Sequence, residues 1–150
     1  MTRRALAAVL ATAVWGCGGP PQPVTLDARN DTCAWCRMGV SDPRLAAQLV
    51  AALEEPKLFD DVGCLRDYLA SGAPLPPDAV AYVADHRTRA WVLAASAVYA
   101  QDPALSTPMG SGIAAWSDSS SRAADTAIPR GTSRSPREIF GRAGPPRGER

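Results

Sequence analysis

The sequence predicts a small α+β domain built from two similar halves. Its apolar runs are short and lie between turn-forming residues, which is typical of strands and short helices. Prolines at 74, 76 and 77 form a stiff linker near the middle of the chain. Beyond this linker the order of apolar runs resembles the order before it, which indicates an internal duplication of shape.

The first half is expected to contain two strands and a helix. Residues 45–53 are mainly apolar and end at a Glu-Glu-Pro turn, so we predict a strand that pairs with residues 57–59. Asp60 or Asp61 then provides an N-cap for a helix with apolar residues on one side. Gly72 lies just beyond this helix and is suited to end it.

The second half is expected to repeat that order. Residues 79–84 read as a strand, residues 85–88 as a turn and residues 90–93 as the returning strand. Residues 94–100 are alanine-rich and predict a short helix. A glycine-rich corner then precedes another short apolar run at 113–116.

The N-terminus resembles a bacterial lipoprotein signal. Arg3 and Arg4 precede an apolar run that is too short to span a bilayer, and a small residue followed by Cys17 closes it. We expect residues 1–16 to be removed and Cys17 to be lipidated. Ordinary cleavage, with Cys17 left as a thiol or a copper ligand, is the alternative. Residues 17–29 then form a tether ahead of the domain at 30–116.

Composition limits the function classes. Without residues 1–16 the chain has 14 basic and 15 acidic residues, and a balanced charge argues against a nucleic-acid binder. No nucleophile–base pair or carboxylate dyad is visible, so an enzyme is not predicted. Residues 117–150 are rich in Ser, Arg, Gly and Pro with little apolar periodicity, which predicts a low-complexity and largely disordered segment.

The most informative motif is Cys33-Ala34-Trp35-Cys36-Arg37-Met38. Two thiols and a thioether within six residues are soft ligands, which favour Cu(I) over harder cations. Two alternatives stay open. The pair could be a redox dithiol, or it could be half of a four-ligand zinc site completed by Cys64 and by His86 or an aspartate.

Three residues elsewhere are further candidate ligands. Cys64 is either a buried apolar residue or a third thiolate. Met109 lies between a proline and a glycine, where an exposed and rigidly held thioether is suited to be a soft ligand. The alternative is the ordinary role of a single methionine, which is to fill space in packing. His86 follows Asp85, which could orient one ring nitrogen while the other binds a metal.

Taken together, these segments resemble the NosL family of lipoprotein accessory proteins for nitrous oxide reductase maturation. The similar stretches are CAWCRMGVSDPRLAAQLV (33–50), LFDDVGCLRDYL (58–69), VAYVADHRTRAWVLAASAVYA (80–100) and TPMGSGIAAW (107–116). The resemblance implies a Cu(I)-binding protein in the cell envelope, lipid-anchored, facing the periplasm and placed at the outer membrane. It also implies two strand-and-helix halves, distantly like organomercurial lyase and treble-clef folds.

The resemblance also implies ligands and partners. Cys33, Cys36 and Met38 match the family's Cys-x-x-Cys-x-Met segment, and Met109 matches its Pro-Met-Gly segment. The implied partner is nitrous oxide reductase or the transporter complex that serves its copper centre. The chain departs from the family pattern after residue 116, where an alanine-rich helix and a last strand are usual.

Overall fold

The computed structural model describes residues 19–128 and 131–148 of the chain. The predicted signal and the lipidation site at Cys17 lie outside these ranges. Within them, none of the helices has the length and apolar character that a membrane crossing requires.

The first unit is a strand–strand–helix–strand sequence. Strands β1 (Ala47–Val50) and β2 (Lys57–Phe59) form a hairpin, helix α1 covers Val62–Ala70, and β3 (Val80–Ala84) returns beside β1. The predicted strands and helix of the first half are therefore confirmed. A further strand, β4 (Trp91–Leu93), extends this antiparallel sheet, whose order is β2-β1-β3-β4.

Helix α1 begins where the sequence places its cap. The Asp61 backbone is extended, and its carboxylate accepts a hydrogen bond from the Gly63 amide, which satisfies one free donor of the first turn. Gly72 follows the helix with a φ of 74°, a conformation that suits glycine.

The second unit repeats this order further along the chain than predicted. Strands β5 (Val98–Gln101) and β6 (Ile113–Trp116) form a hairpin, α2 covers Ser119–Ala124 and β7 (Thr132–Arg134) returns beside β5. The strand order β6-β5-β7 matches β2-β1-β3 in the first sheet. The α+β class with two similar halves is thus confirmed, while the boundaries of the second half differ from those predicted.

Two local predictions are wrong. Residues 94–100 do not form a helix, because Val98–Gln101 is the central strand of the second sheet. Alanine favours a helix only weakly, and pairing with β6 and β7 on both sides outweighs that preference. Tyr99, buried at the centre of this strand, donates its hydroxyl to the Ala94 carbonyl at 2.7 Å.

The segment after residue 116 is also more ordered than predicted. It supplies α2, β7 and a third helix, α3 (Pro136–Phe140), which starts with a capping box between Ser135 and Glu138. Ile139 is buried in the main core, and Arg147 forms a bridge with Val80. These contacts depend on partners distant in sequence, which a low-complexity composition does not reveal.

The main core lies between the two sheets and α1. Its members are buried apolar side chains from both units, and they surround two of the cysteines. They include Cys33, Phe59, Cys64, Leu65, Tyr99 and Ile113.

Candidate metal centre

The two cysteines of the CxxC motif lie in a tight hairpin loop that packs on the first sheet. Thr32 and Gly39 form a β-bridge, and the Cys33 amide donates to the Met38 carbonyl at 2.8 Å. Arg37 closes the loop with a φ of 66°, a conformation that non-glycine residues seldom adopt. The Ala34 amide donates to Leu58, which fixes the loop against β2.

The hairpin loop meets the N-terminal end of α1. Cys33 and Cys36 from the loop, Asp60 at the end of β2 and Cys64 in the first turn of α1 form one group, with ligand atoms that all lie within 4.8 Å of one another. Cys33, Asp60 and Cys64 are buried, and Cys36 is half-buried. We call these four residues the thiol cluster.

Asp60 is the member of the thiol cluster that the sequence did not predict as a ligand. Its carboxylate lies 3.5 and 3.6 Å from the Cys36 sulfur, and one of its oxygens lies within 4.8 Å of the Cys64 sulfur. Among the described residues, its hydrogen-bond partners are thiols, which are weak donors. A buried carboxylate with only weak donors gains from a cation beside it. The cluster therefore fits a metal ion.

The surroundings of Cys36 and Cys64 disfavour ionisation of these two thiols when no metal is bound. Burial raises the pKa of Cys36, and the neighbouring Cys33 and Asp60 raise it further. Burial likewise raises the pKa of Cys64, with Asp60 and Cys33 adding to the effect. A bound cation would reverse this by stabilising the thiolates, because ligating thiols are deprotonated.

The donor set limits which ions the cluster suits. All three cysteines in the described ranges are free thiols. Three sulfurs and one carboxylate oxygen are enough for a tetrahedral ion such as zinc. Two or three of the sulfurs alone offer the soft coordination that Cu(I) prefers.

The two candidate methionines are both exposed and lie on different loops. Met38 ends the hairpin loop with 48% of its surface exposed, and Met109 is 46% exposed. The Met109 amide donates to the Asp61 carboxylate at 3.1 Å. The backbone of Met109 is therefore hydrogen-bonded to the residue that follows Asp60 of the thiol cluster in the chain.

His86 is not part of the thiol cluster. It is buried, and its Nδ1 lies 2.6 Å from Oδ2 of Asp125, which also accepts from the indole of Trp116 at 3.0 Å. Asp85 does not orient His86, because its oxygens accept from the amides of Thr88, Arg87 and Ser117 instead. The role of His86 as a metal ligand stays a prediction that its position does not favour.

One sequence signal could have identified Asp60. The pair Asp60-Asp61 is most simply explained as a helix cap, yet a helix needs only one N-cap residue. Asp61 fills that role. Asp60 is therefore not needed as a cap, and its position just after a strand and four residues before Cys64 indicates a ligand.

Comparisons with known proteins agree with this architecture. A family model described as NosL matches residues 23–129. The crystal structure of the copper chaperone NosL from Shewanella denitrificans superimposes with a TM-score of 0.65 at 18% sequence identity, covering 81% of this chain and 97% of that one. No curated protein sequence is significantly similar to the chain. Because the family model covers well over half of the sequence, this chain belongs to the NosL family.

Proposed function

We propose that this protein is a Cu(I)-binding chaperone whose cargo sits in the thiol cluster. The observation that carries the proposal is the convergence of three free cysteines from two separate segments at one point. Soft thiolate donors select Cu(I) over harder ions. Membership of the NosL family, and the description of the Shewanella denitrificans neighbour as a copper chaperone, support the same function.

The sulfur atoms differ in their exposure to solvent, which suits a site that must release its Cu(I) ion to a recipient. Cys33 and Cys64 are buried, whereas Cys36 is partly exposed and both methionines lie at the surface. A recipient's ligand could therefore approach Cu(I) from the Cys36 side while the inner thiolates still hold it. A closed cage without an exposed donor would not permit such a mixed complex.

The partner and the location follow from the family resemblance. We propose that copper passes to nitrous oxide reductase or to the transporter complex that serves its copper centre. We also propose that a lipid on Cys17 tethers the domain at the cell envelope, facing the periplasm, at the outer membrane. The protein acts by binding and transfer and is not proposed to be an enzyme.

A dithiol oxidoreductase is the less favoured alternative. Reactive CxxC pairs have one thiol with a lowered pKa, commonly at the N-terminus of a helix. Here the pair lies in a hairpin loop, and burial together with Cys33 and Asp60 raises the pKa of Cys36. Both features oppose a nucleophilic thiolate.

A zinc-stabilised interaction module is the second candidate, and one observation favours it. Asp60 completes a set of four donors around a single point, which is the ligand count of structural zinc sites. Such a module would unfold on chelation and would be purified with zinc. Metal analysis of the isolated protein distinguishes it from a copper carrier.

The main test is an anaerobic titration with a competing cuprous chelator. We expect the reduced protein to bind one Cu(I) per chain. Replacing both Cys33 and Cys36 with Ser should abolish tight binding, because two of the three soft donors are lost. The matched control is Ala34→Ser, which adds a hydroxyl to the same loop and keeps every thiol.

The control variant should bind as the wild type does. Retention of wild-type affinity by the double Ser variant would show that copper binds elsewhere. Tight zinc binding with no measurable Cu(I) affinity would instead favour the zinc-stabilised module.

A further inference from the structure

A second buried aspartate, Asp61, ties the second repeat unit to the start of α1, next in the chain to Asp60 of the thiol cluster. Its carboxylate receives hydrogen bonds on both oxygens. Oδ1 accepts from the Gly63 amide at 2.6 Å and from the Ser111 hydroxyl. Oδ2 accepts from the Thr107 hydroxyl at 2.7 Å and from the Met109 amide at 3.1 Å. One carboxylate therefore caps α1 and also holds the loop that connects β5 and β6.

The loop and the helix are packed too closely for this contact to be incidental. A Cβ atom at Gly63 would lie 2.5 Å from the Ser111 side chain, so only glycine permits the approach. On the other side of the loop, Gly112 has a φ of 64°, and a Cβ there would lie 2.4 Å from the Asp102 carbonyl oxygen. The loop is thus fixed at both faces, while the Met109 side chain remains about half exposed.

The equivalent aspartate of the second unit has no such role. Asp118 is the N-cap of α2 and accepts from the Ser121 amide at 2.8 Å and the Ser117 hydroxyl at 3.3 Å. These partners are its immediate neighbours in the chain. Helix capping alone therefore does not explain the hydrogen bonds that Asp61 makes to the other unit.

We infer that Asp61 is a positioning residue that holds Met109 beside the thiol cluster, so that its thioether takes part in binding Cu(I). This inference rests on the proposed function. Asp61 itself binds no metal here, because its oxygens are taken up by four donors. Its effect on copper passes through the backbone of Met109.

The test is a double-mutant cycle between Asp61→Asn and Met109→Leu. An asparagine side chain keeps one oxygen and has an NH₂ group in place of the other. It therefore cannot accept hydrogen bonds from the donors of both carboxylate oxygens. We expect each single variant to weaken Cu(I) binding by about 10-fold, at the lower end of the effect of groups that orient ligands. The double variant should bind no more weakly than either single variant, because both remove the same contribution.

Two further measurements separate positioning from general stability. Hydrogen exchange at the Met109 amide should become faster in Asp61→Asn without copper, since its acceptor is lost. The matched control is Asp118→Asn, which weakens the cap of α2 and should leave Cu(I) affinity unchanged. If Asp61→Asn does not fold, Thr107→Val removes one donor of the same network and should show the same two changes to a smaller degree.

The possible failures are distinguishable. The inference fails, while the proposed function stands, if a folded Asp61→Asn protein keeps wild-type Cu(I) affinity. It fails in the same way if the fold-losses in Cu(I) affinity of the two single variants multiply in the double variant. An unchanged affinity in Met109→Leu also overturns it, while the thiol cluster stands. Absence of Cu(I) binding by the wild type overturns the proposed function and the inference together.

Discussion

The two repeat units share one backbone plan but carry different chemistry. In each unit the chain leaves its second strand, places an aspartate at the N-cap and enters a helix, with Asp61 before α1 and Asp118 before α2. The residue before the cap is buried Asp60 in the first unit and exposed Ser117 in the second. The repeated plan therefore sets positions, and the side chains decide which unit is suited to metal.

The third residue after the cap shows the same contrast. It is Cys64 in the first unit and Ser121 in the second, and both are buried. The first unit also carries the CxxC hairpin loop, fixed on β2 by the Ala34–Leu58 hydrogen bond. The turn that begins at Asp85 makes the matching hydrogen bond to β6, from the His86 amide to the Ala115 carbonyl. There the Asp85 carboxylate accepts from the backbone amides of Arg87, Thr88 and Ser117.

This difference separates two kinds of buried charge. A carboxylate with strong donors on its oxygens, such as Asp125, is satisfied without a ligand and serves the fold. Asp60, with only thiols beside it, gains most from a cation. The completeness of the hydrogen bonding, more than burial itself, distinguishes the candidate site from the structural one.

The largest expected effect lies in the second unit and concerns stability. His86→Ala removes the closest partner of buried Asp125 and leaves a cavity, so the free energy of unfolding should fall by about 3 kcal/mol. Urea unfolding measures this loss. Cu(I) affinity should not change, because His86 lies outside the thiol cluster.

The control for that experiment is His86→Gln, which keeps a hydrogen-bonding group and should recover part of the stability. A loss of copper affinity without a loss of stability would reverse our interpretation and make His86 a ligand.

The next effect lies in the first unit and concerns metal affinity. Asp60→Asn removes the charge that favours a cation, and we expect metal affinity to fall by roughly 10-fold, with no loss of stability in the metal-free protein. The chelator titration and urea unfolding together measure both quantities. Ser117→Ala, at the equivalent position of the second unit, is the matched control and should change neither.

A loss of stability in metal-free Asp60→Asn would contradict this assignment, because it would make Asp60 a structural acid like Asp125.

The smallest expected effect is a dependence of stability on acid. Burial opposes ionisation of Asp85, but hydrogen bonds from Ser117 and Thr88 outweigh it and hold its pKa below the usual range. Burial likewise opposes ionisation of Asp125, whose pKa is lowered by the hydrogen bonds of His86 and Trp116. A lowered pKa in the folded state contributes stability that is present above the unfolded pKa of about 3.9 and is lost as the pH falls through the folded value.

We therefore expect the free energy of unfolding to decline by about 1 kcal/mol per pH unit below about pH 4. Asp85→Asn should flatten this decline, as measured by urea unfolding at several pH values. Asp67→Asn is the control, since that carboxylate is about half exposed at the surface of α1 and pairs there only with its neighbour Arg66. A decline of unchanged slope in Asp85→Asn would exclude Asp85 as its source.

Local sequence patterns predicted the first unit well. Its hairpin, the cap at Asp61 and the helix α1 depend on turn residues, capping and apolar spacing, which act over a few residues. The Cys33, Cys36 and Cys64 candidates came from donor chemistry, and the structure brings all three together. Asp60 was missed because an acid before a helix has an ordinary structural explanation.

Patterns were less informative for the second unit. The alanine-rich residues 94–100 predict a helix, yet Val98–Gln101 is a strand and both of its edges pair with other strands. The segment after Trp116 lacks apolar periodicity, and its order comes from single anchors such as Ile139 and Asp125. Such anchors have no signature in a window of neighbouring residues.

The sequence by itself determined the α+β class, the elements of the first unit and the sulfur donors, because short-range propensity and ligand chemistry belong to individual residues and their near neighbours. Only the tertiary structure decided which candidate donors lie together, since Cys33 and Cys64 are separated along the chain and meet where the hairpin loop packs near the start of α1. It likewise placed His86 with Asp125 and the loop of Met109 on Asp61. Contacts of that kind form when two repeat units pack together, and no local pattern encodes their partners.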